Sequence, residues 1–191
     1  FRPIERNHSH QLVEECMILA NVCAAELISK SKIPSIYRSH EKPDPLKIIN
    51  LKNFLTSRQI KNKMDSYKTR ENLISWMKAA KTKKIFEVIT IQILRSLSLA
   101  MYDLLLSSHF ALSLDKYTHF TSPIRRYADL VVHRCIKELI YQNINSLSSK
   151  RKFIKSNSFP YTLNAVSDIA EDISIIDRNA ENISRKEIKY F

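Results

Sequence analysis

There is no glycine anywhere in the 191 residues of this chain. A domain of ordinary composition would carry roughly 13. Glycine supplies the positive-φ and close-approach backbone positions that other residues resist, so its absence removes whole classes of site. P-loops, GxGxxG dinucleotide turns, GxSxG nucleophile elbows and EF-hand loops all depend on it. Nucleotide-cofactor chemistry of the usual kinds is therefore excluded, and helix C-termini must end on Asn or by irregular geometry. Together with the abundance of Lys, Ile and Asn, the omission points to a strongly biased genome or to deliberate recoding.

At 22.3 kDa and 44% hydrophobic residues, the chain can bury a sizeable core as one domain, or as one large and one small. Its formal net charge of +12 favours a polyanionic partner, nucleic acid first and an anionic membrane surface second. The plain alternative is a basic surface with no partner. No apolar run approaches the roughly 18 residues of a membrane span. The longest greasy region, residues 85–106, is interrupted by Glu87, Gln92, Arg95 and Asp103. The N-terminal "FRPIERNHSH" lacks the apolar core of a signal peptide, so the expectation is a soluble cytoplasmic chain with no membrane partner. Cys16, Cys23 and Cys135 contain no CxxC pair and read as reduced, mostly buried thiols. His8 and His10, two apart, diverge on a helix, so nothing favours zinc.

The periodicity predicts a mainly helical chain with few strands. Residues 9–30 form a helix capped by Asn7 or Ser9, with Leu12, Cys16, Leu19, Cys23 and Leu27 as its stripe. "IPSIYRSHEKPDP" is an extended connection, and residues 46–55 a short helix. Residues 56–70 are a loop or weak helix. Helices follow at 71–80 and 84–105, the second apolar nearly all round and so expected to be buried. "SSHFALSL" alternates weakly, as one strand would. A helix from Pro123 to about Tyr141, a basic loop over 142–160 and a last helix from Tyr161 towards Lys189 complete the chain.

The chemistry concentrates in "YTHFTSPIRRYADLVVHR", Tyr117 to Arg134. Ser122 followed by Pro123 is a strong helix start. Ile124, Ala128, Val131, Cys135 and Leu139 then form an inward stripe, while Arg125, Asp129 and His133 share another face. Two arginines in a first turn face the positive end of the helix dipole, at a cost of about 0.3–1 kcal/mol each. An anion answers both, because backbone N–H groups and guanidinium forks converge on it. Asp129 can hold Arg125 by an i,i+4 contact. Phosphate is the natural ligand; solvated arginines, or arginines paired to carboxylates from elsewhere, are the plain alternative.

The same residues, "HFTSPIRRYADLVVHR", resemble the signature of the ribonuclease II / ribonuclease R family of 3′-to-5′ exoribonucleases, nearest its ribonuclease R branch. "ERNHSHQLVEECMILAN" resembles the family's helix of paired glutamates, and "PSIYRSHEKPDPLKIINLKNFL" its Tyr-Arg-x-His-Glu-x-Pro connection. The resemblance implies an α+β, predominantly helical fold with few strands, residues 1–191 being a C-terminal portion of an RNB-type catalytic domain. It implies magnesium-dependent, processive degradation of single-stranded RNA to nucleoside 5′-monophosphates. By position in the motifs, Arg125 would contact the phosphate near the scissile bond. His119, Thr121, Ser122, Arg126, Tyr127, Asp129 and His133 would line the same end of the RNA channel. Glu14 and Asn21, with Glu15 beside them, would face terminal riboses, and a 2′-OH contact there would favour RNA. Tyr37, Arg38 and His40 would belong to the site or merely brace the helices.

The family's aspartate-rich metal motif has no counterpart here, and the eight aspartates are scattered. Nor are there cold-shock or S1 segments. The expectation is that Mg2+ ligands lie on a missing N-terminal segment or a partner chain. Ser108 and Ala111 stand where the family usually has glycine, and His8 where it commonly has aspartate. The other readings are a non-catalytic helical RNA-binding module, inert alone, and more distantly a helix-turn-helix DNA binder.

Overall fold

The computed structural model describes residues 6–31, 33–60, 69–81, 85–147 and 161–188. Its elements, in chain order, are α1 (His8–Ser31), β1 (Tyr37–His40), α2 (Pro45–Ser57), α3 (Thr69–Ala80), α4 (Phe86–Ser96), β2 (Ala100–Asp103), α5 (Tyr127–Leu147) and α6 (Leu163–Ile188). The two strands pair with each other in a single small sheet. The fold is α+β and predominantly helical, as the periodicity predicts. It divides into two compact units: Phe1–Ser39, Met101–His109 and Leu114–Phe191 form the first, His40–Ala100 and Phe110–Ser113 the second.

In the first unit α1 packs on α5 and α5 on α6. Asn7 caps α1, its side-chain oxygen accepting from the His10 N–H at 3.0 Å. Close approach of α1 comes from small residues: Ala24 and Ala25, with Ile28, bury against Tyr37 and Val132. A second cluster joins Ile36 and Tyr102 to Val131, Cys135 and Val166. The thiol of Cys135 is pushed up from its ordinary pKa by this burial.

The second unit is a three-helix arrangement around fully buried Trp76, with Leu51, Leu55, Leu73, Ile89 and Ile93. Asp44 caps α2 by accepting from the Leu46 N–H at 2.8 Å, and Pro45 opens the helix. Its end shows how a chain without glycine stops a helix. Gln59 takes a left-handed conformation, φ 54°. Its N–H bonds the carbonyl of Thr56 at 3.0 Å, and Ile60 N–H reaches Leu55 O at 3.1 Å. This is the two-bond stop glycine usually provides, closed by Ile60 burying beside Leu55. Ser113, φ 58°, is the other described residue with positive φ.

Several expectations need correction. The expected stripe of α1 faces solvent: Leu12 and Leu19 are more than 60% exposed, and Cys16 and Cys23 are exposed, not buried. Packing selected the small-residue face instead, because it lets α5 come closer. The helix expected over 84–105 ends at Ser96, and residues 100–103 become β2. Nor is it buried all round, since Val88, Ile91 and Leu94 are about half exposed or more. "SSHFALSL" makes one isolated bridge, His109 with Leu114, rather than a strand. The helix expected from Pro123 starts at Tyr127 and runs on to Leu147, beyond Tyr141. Ile124 is fully exposed, so the inward stripe reduces to Ala128, Val131 and Cys135, with Leu139 half-buried. Most of the loops expected over 56–70 and 142–160 lies outside the described residues.

Candidate nucleic-acid interface

The site is a loop, residues 117–126, strapped between α1 and α5 of the first unit. Its most important contact is not the one that helical spacing suggests. The fully buried carboxylate of Asp129 grips Arg126, not Arg125: Nε donates to Oδ2 and Nη2 to Oδ1, both at 2.8 Å. Asp129 Oδ1 also accepts from the Ser122 N–H at 2.7 Å. Because the chain makes a turn at 123–125 before α5 begins, Arg126 is set over the carboxylate and Arg125 is turned away. The Arg125 and Arg126 N–H groups both bond the Ser122 carbonyl, at 3.3 and 3.1 Å. Ser122 thus starts the turn through its main chain, and its hydroxyl makes no cap bond among the described residues. The helix dipole, too, is answered from within, by Asp129 in the first turn of α5.

The pairing changes the charge at the site. Arg126 is held above its ordinary pKa: burial works against its charge, but hydrogen bonds and attraction to Asp129 outweigh it. One arginine is neutralised. Arg125 is exposed and makes no ion pair or side-chain hydrogen bond among the described residues. A phosphate offered to this turn therefore meets one uncommitted guanidinium on a braced backbone.

Asn21 supplies the second brace. It is 3% exposed, and its Oδ1 accepts from the N–H groups of Phe120 (2.9 Å) and Thr121 (3.2 Å). Its Nδ2 donates to the Tyr117 hydroxyl at 3.0 Å. His133 stacks on Phe120, with ring centroids 4.2 Å apart, and its Nε2 lies 2.9 Å from the Phe120 carbonyl. Thr118 donates its hydroxyl to Ile36 O at 2.6 Å.

Behind the loop stands an aromatic column. His119 is edge-on to Tyr102 and to Tyr117, and its Nδ1 hydrogen-bonds the Tyr102 hydroxyl at 2.8 Å. Arg38 lies over the Tyr102 ring at 4.4 Å and donates to Asp177 at 3.2 Å. Burial, then the positive charges of Arg126 and Arg38, push the His119 pKa down to about 3, so the imidazole is neutral at physiological pH. Burial raises Tyr102 to about 12, which keeps it a phenol.

The sequence-expected residues thus divide by position. Arg125, Tyr127, Glu14 and Glu15 present exposed side chains, Glu14 being paired with Arg6. Asn21, His119, Arg126, Asp129 and His133 are engaged in holding the loop, and Thr121 buries a hydroxyl oxygen with no partner among the described residues. Tyr37 is core, with its pKa raised by burial. His40 lies in the second unit, where its Nδ1 accepts from the Ala111 N–H at 3.2 Å and its ring stacks on Phe110. Tyr102 and Asp177 carry no distinguishing signal in the sequence: the first lies inside a run with helical periodicity, and the second is one of many acids on α6. Among the described residues no three His, Cys, Asp or Glu side chains come together as a metal site.

Residues 2–142 match the family model of the RNB domain. The chain belongs to the RNB-domain family. Relatives of this RNB chain include ribonuclease R of Buchnera aphidicola subsp. Schizaphis graminum, 37% identical over 180 residues, 94% of this chain and 24% of the relative. Ribonuclease R of Vibrio parahaemolyticus is 33% identical over 184 residues, 96% of this chain and 22% of the relative. The chain thus spans less than a quarter of the length of both relatives. The apo form of Mycoplasma genitalium RNase R has the same fold, with a TM-score of 0.84 at 25% identity over 98% of this chain and 28% of that one. It has also been solved with ribose-methylated single-stranded RNA. Yeast Ssd1, a pseudonuclease, shares the fold at a TM-score of 0.68 and 22% identity, over 88% of this chain and 20% of its own.

Proposed function

We propose that this RNB chain is the RNA-binding and phosphate-positioning part of a 3′-to-5′ exoribonuclease that acts processively on single-stranded RNA in the cytoplasm and releases nucleoside 5′-monophosphates. The observation that carries the reading is Arg125, exposed and uncommitted on a turn fixed by Asp129 and Asn21. A guanidinium held this way forms charge-assisted bonds to a phosphate without first giving up an internal partner. Glu14, Glu15 and Tyr127 are proposed to meet riboses and bases. Asn21, His119, Thr121, Ser122, Arg126, Asp129 and His133 act by holding the turn, and Tyr37 and Arg38 by bracing its supports, while His40 braces the second unit.

The activity implied by the family uses magnesium, but the described residues do not fit a metal site. The reading therefore places the Mg2+ ligands on a further segment or a partner chain. What this chain contributes is orientation of the phosphate. The experiment is fluorescence anisotropy with a labelled single-stranded RNA across a salt series. Arg125→Ala is expected to weaken binding and flatten the salt dependence by about 0.7, the slope of one phosphate contact on a single strand. Unchanged affinity and slope would remove the assignment. Incubated alone with magnesium, the chain is expected to leave the RNA intact; a ladder of products would show that it holds its own metal site.

A further inference from the structure

The second unit carries a disproportionate share of the charge. Residues 40–100 and 110–113 hold thirteen Lys and Arg against five Asp and Glu, a net +8 of the chain's +12. On this unit α2 and α4 pack together and leave an open groove of about 280 Å³ between them. Lys47, Asn50, Leu51 and Phe54 line it from α2, and Gln92, Arg95 and Ser96 from α4. Neither Lys47 nor Arg95 is paired among the described residues, and the amides of Asn50 and Gln92 make no hydrogen bond there. The groove therefore offers two cations and two amides, all uncommitted. Leu51 and the half-buried Phe54 give it an apolar wall, and Arg58 lies over the Phe54 ring at 5.6 Å.

We propose that this α2–α4 groove is a second RNA contact, holding one unpaired nucleotide with its phosphates on Lys47 and Arg95. The proposal rests on the reading that the chain binds single-stranded RNA. Three features fit that ligand. Two cations lining one groove suit the negative charge of a phosphate backbone. The apolar wall matches the face of a ribose or an unstacked base, which a duplex keeps covered. Free amides match the edge of any base, without a fixed donor pattern that would demand one sequence. An acidic peptide would satisfy the cations but leave the apolar wall unused.

The test uses the purified chain, a fluorescein-labelled 20-nucleotide single-stranded RNA and a salt series. Lys47 and Arg95 are exposed, so the double variant Lys47→Ala, Arg95→Ala is expected to keep its fold, as checked by circular dichroism. It should bind roughly tenfold more weakly, with a salt slope lower by about 1.4 for two lost contacts. RNA containing 4-thiouridine should crosslink to peptides 45–57 and 86–96 in the wild type and not in the variant. If the double variant binds as the wild type does while Arg125→Ala binds more weakly, the groove is overturned and the primary site stands. If the wild type binds no RNA, both fall. If polyglutamate binding is lost in the variant and RNA binding is not, the groove takes an acidic protein segment and the proposal is wrong.

Discussion

Asp129 holds Arg126 by two bonds of 2.8 Å and, through the same carboxylate, the main chain of Ser122 at 2.7 Å. One buried acid thus fixes both ends of the turn that carries Arg125. Because Asp129 is fully buried and Arg126 only one-fifth exposed, removing the charge strands a guanidinium in a poorly solvated place. Asp129→Asn keeps the shape and one acceptor for Ser122 but loses the ion pair. We expect a loss of about 3 kcal/mol in urea unfolding, with weaker RNA binding at temperatures where the variant remains folded. Full stability in Asp129→Asn would show that the pair contributes nothing net.

Asn21 is expected to behave as a positioning residue. Truncation to Ala leaves the N–H groups of Phe120 and Thr121 without their acceptor, at a cost of about 1–3 kcal/mol. Tyr117→Phe removes only the acceptor of the Asn21 amide, so the loop should survive it with a loss of about 1 kcal/mol. RNA affinity should therefore fall in Asn21→Ala and hold in Tyr117→Phe. Equal losses in the two variants would mean that Asn21 does not act through the loop backbone.

These two contacts also mark what the sequence could reveal. The element order was largely readable, because helical periodicity and a start such as Asn7 act through local chemistry that needs no tertiary partner. That residues 121–126 are held as one fixed unit was not readable, because the acceptors that hold them, Asn21 and Asp129, lie outside the segment. Nor was the choice between Arg125 and Arg126: i,i+4 spacing presumes a helix, and the turn at 123–125 withdraws that premise. The buried face of α1 runs against the apolar pattern, because Leu and Cys are more apolar than Ala, whereas close packing on α5 favours the smaller residue. Tyr102 was hidden in a run whose helical periodicity continues past Ser96, and only pairing with β1 makes residues 100–103 a strand.

His119 gives the first unit a pH dependence with a definite sign. Its pKa is about 3 in the folded chain and near the ordinary 6.5 when unfolded. Above pH 6.5 both states hold it neutral, and it adds no slope. Between pH 6.5 and 3 only the unfolded state takes the proton, so stability falls as pH drops, by at most about 1.4 kcal/mol per unit. His119→Asn keeps an acceptor near the Tyr102 hydroxyl and removes the titration. Urea unfolding at pH 7.5 and 4.5 should show a smaller difference in the variant than in the wild type. An identical difference would mean that other groups, not His119, carry the acid sensitivity.

Gln59 tests the consequence of building a fold without glycine. At φ 54° its Cβ crowds the neighbouring carbonyl, a cost of about 1–2 kcal/mol that glycine does not bear. Against this, glycine gives the unfolded chain more freedom, worth about 0.4–1 kcal/mol. The strain is the larger of the two, so Gln59→Gly should stabilise the second unit by about 0.5–1 kcal/mol. Gln59→Ala keeps the Cβ and should be close to neutral. Thermal unfolding of the three forms separates the cases. A destabilised Gln59→Gly would show that the glutamine side chain contributes more at the end of α2 than its left-handed backbone costs.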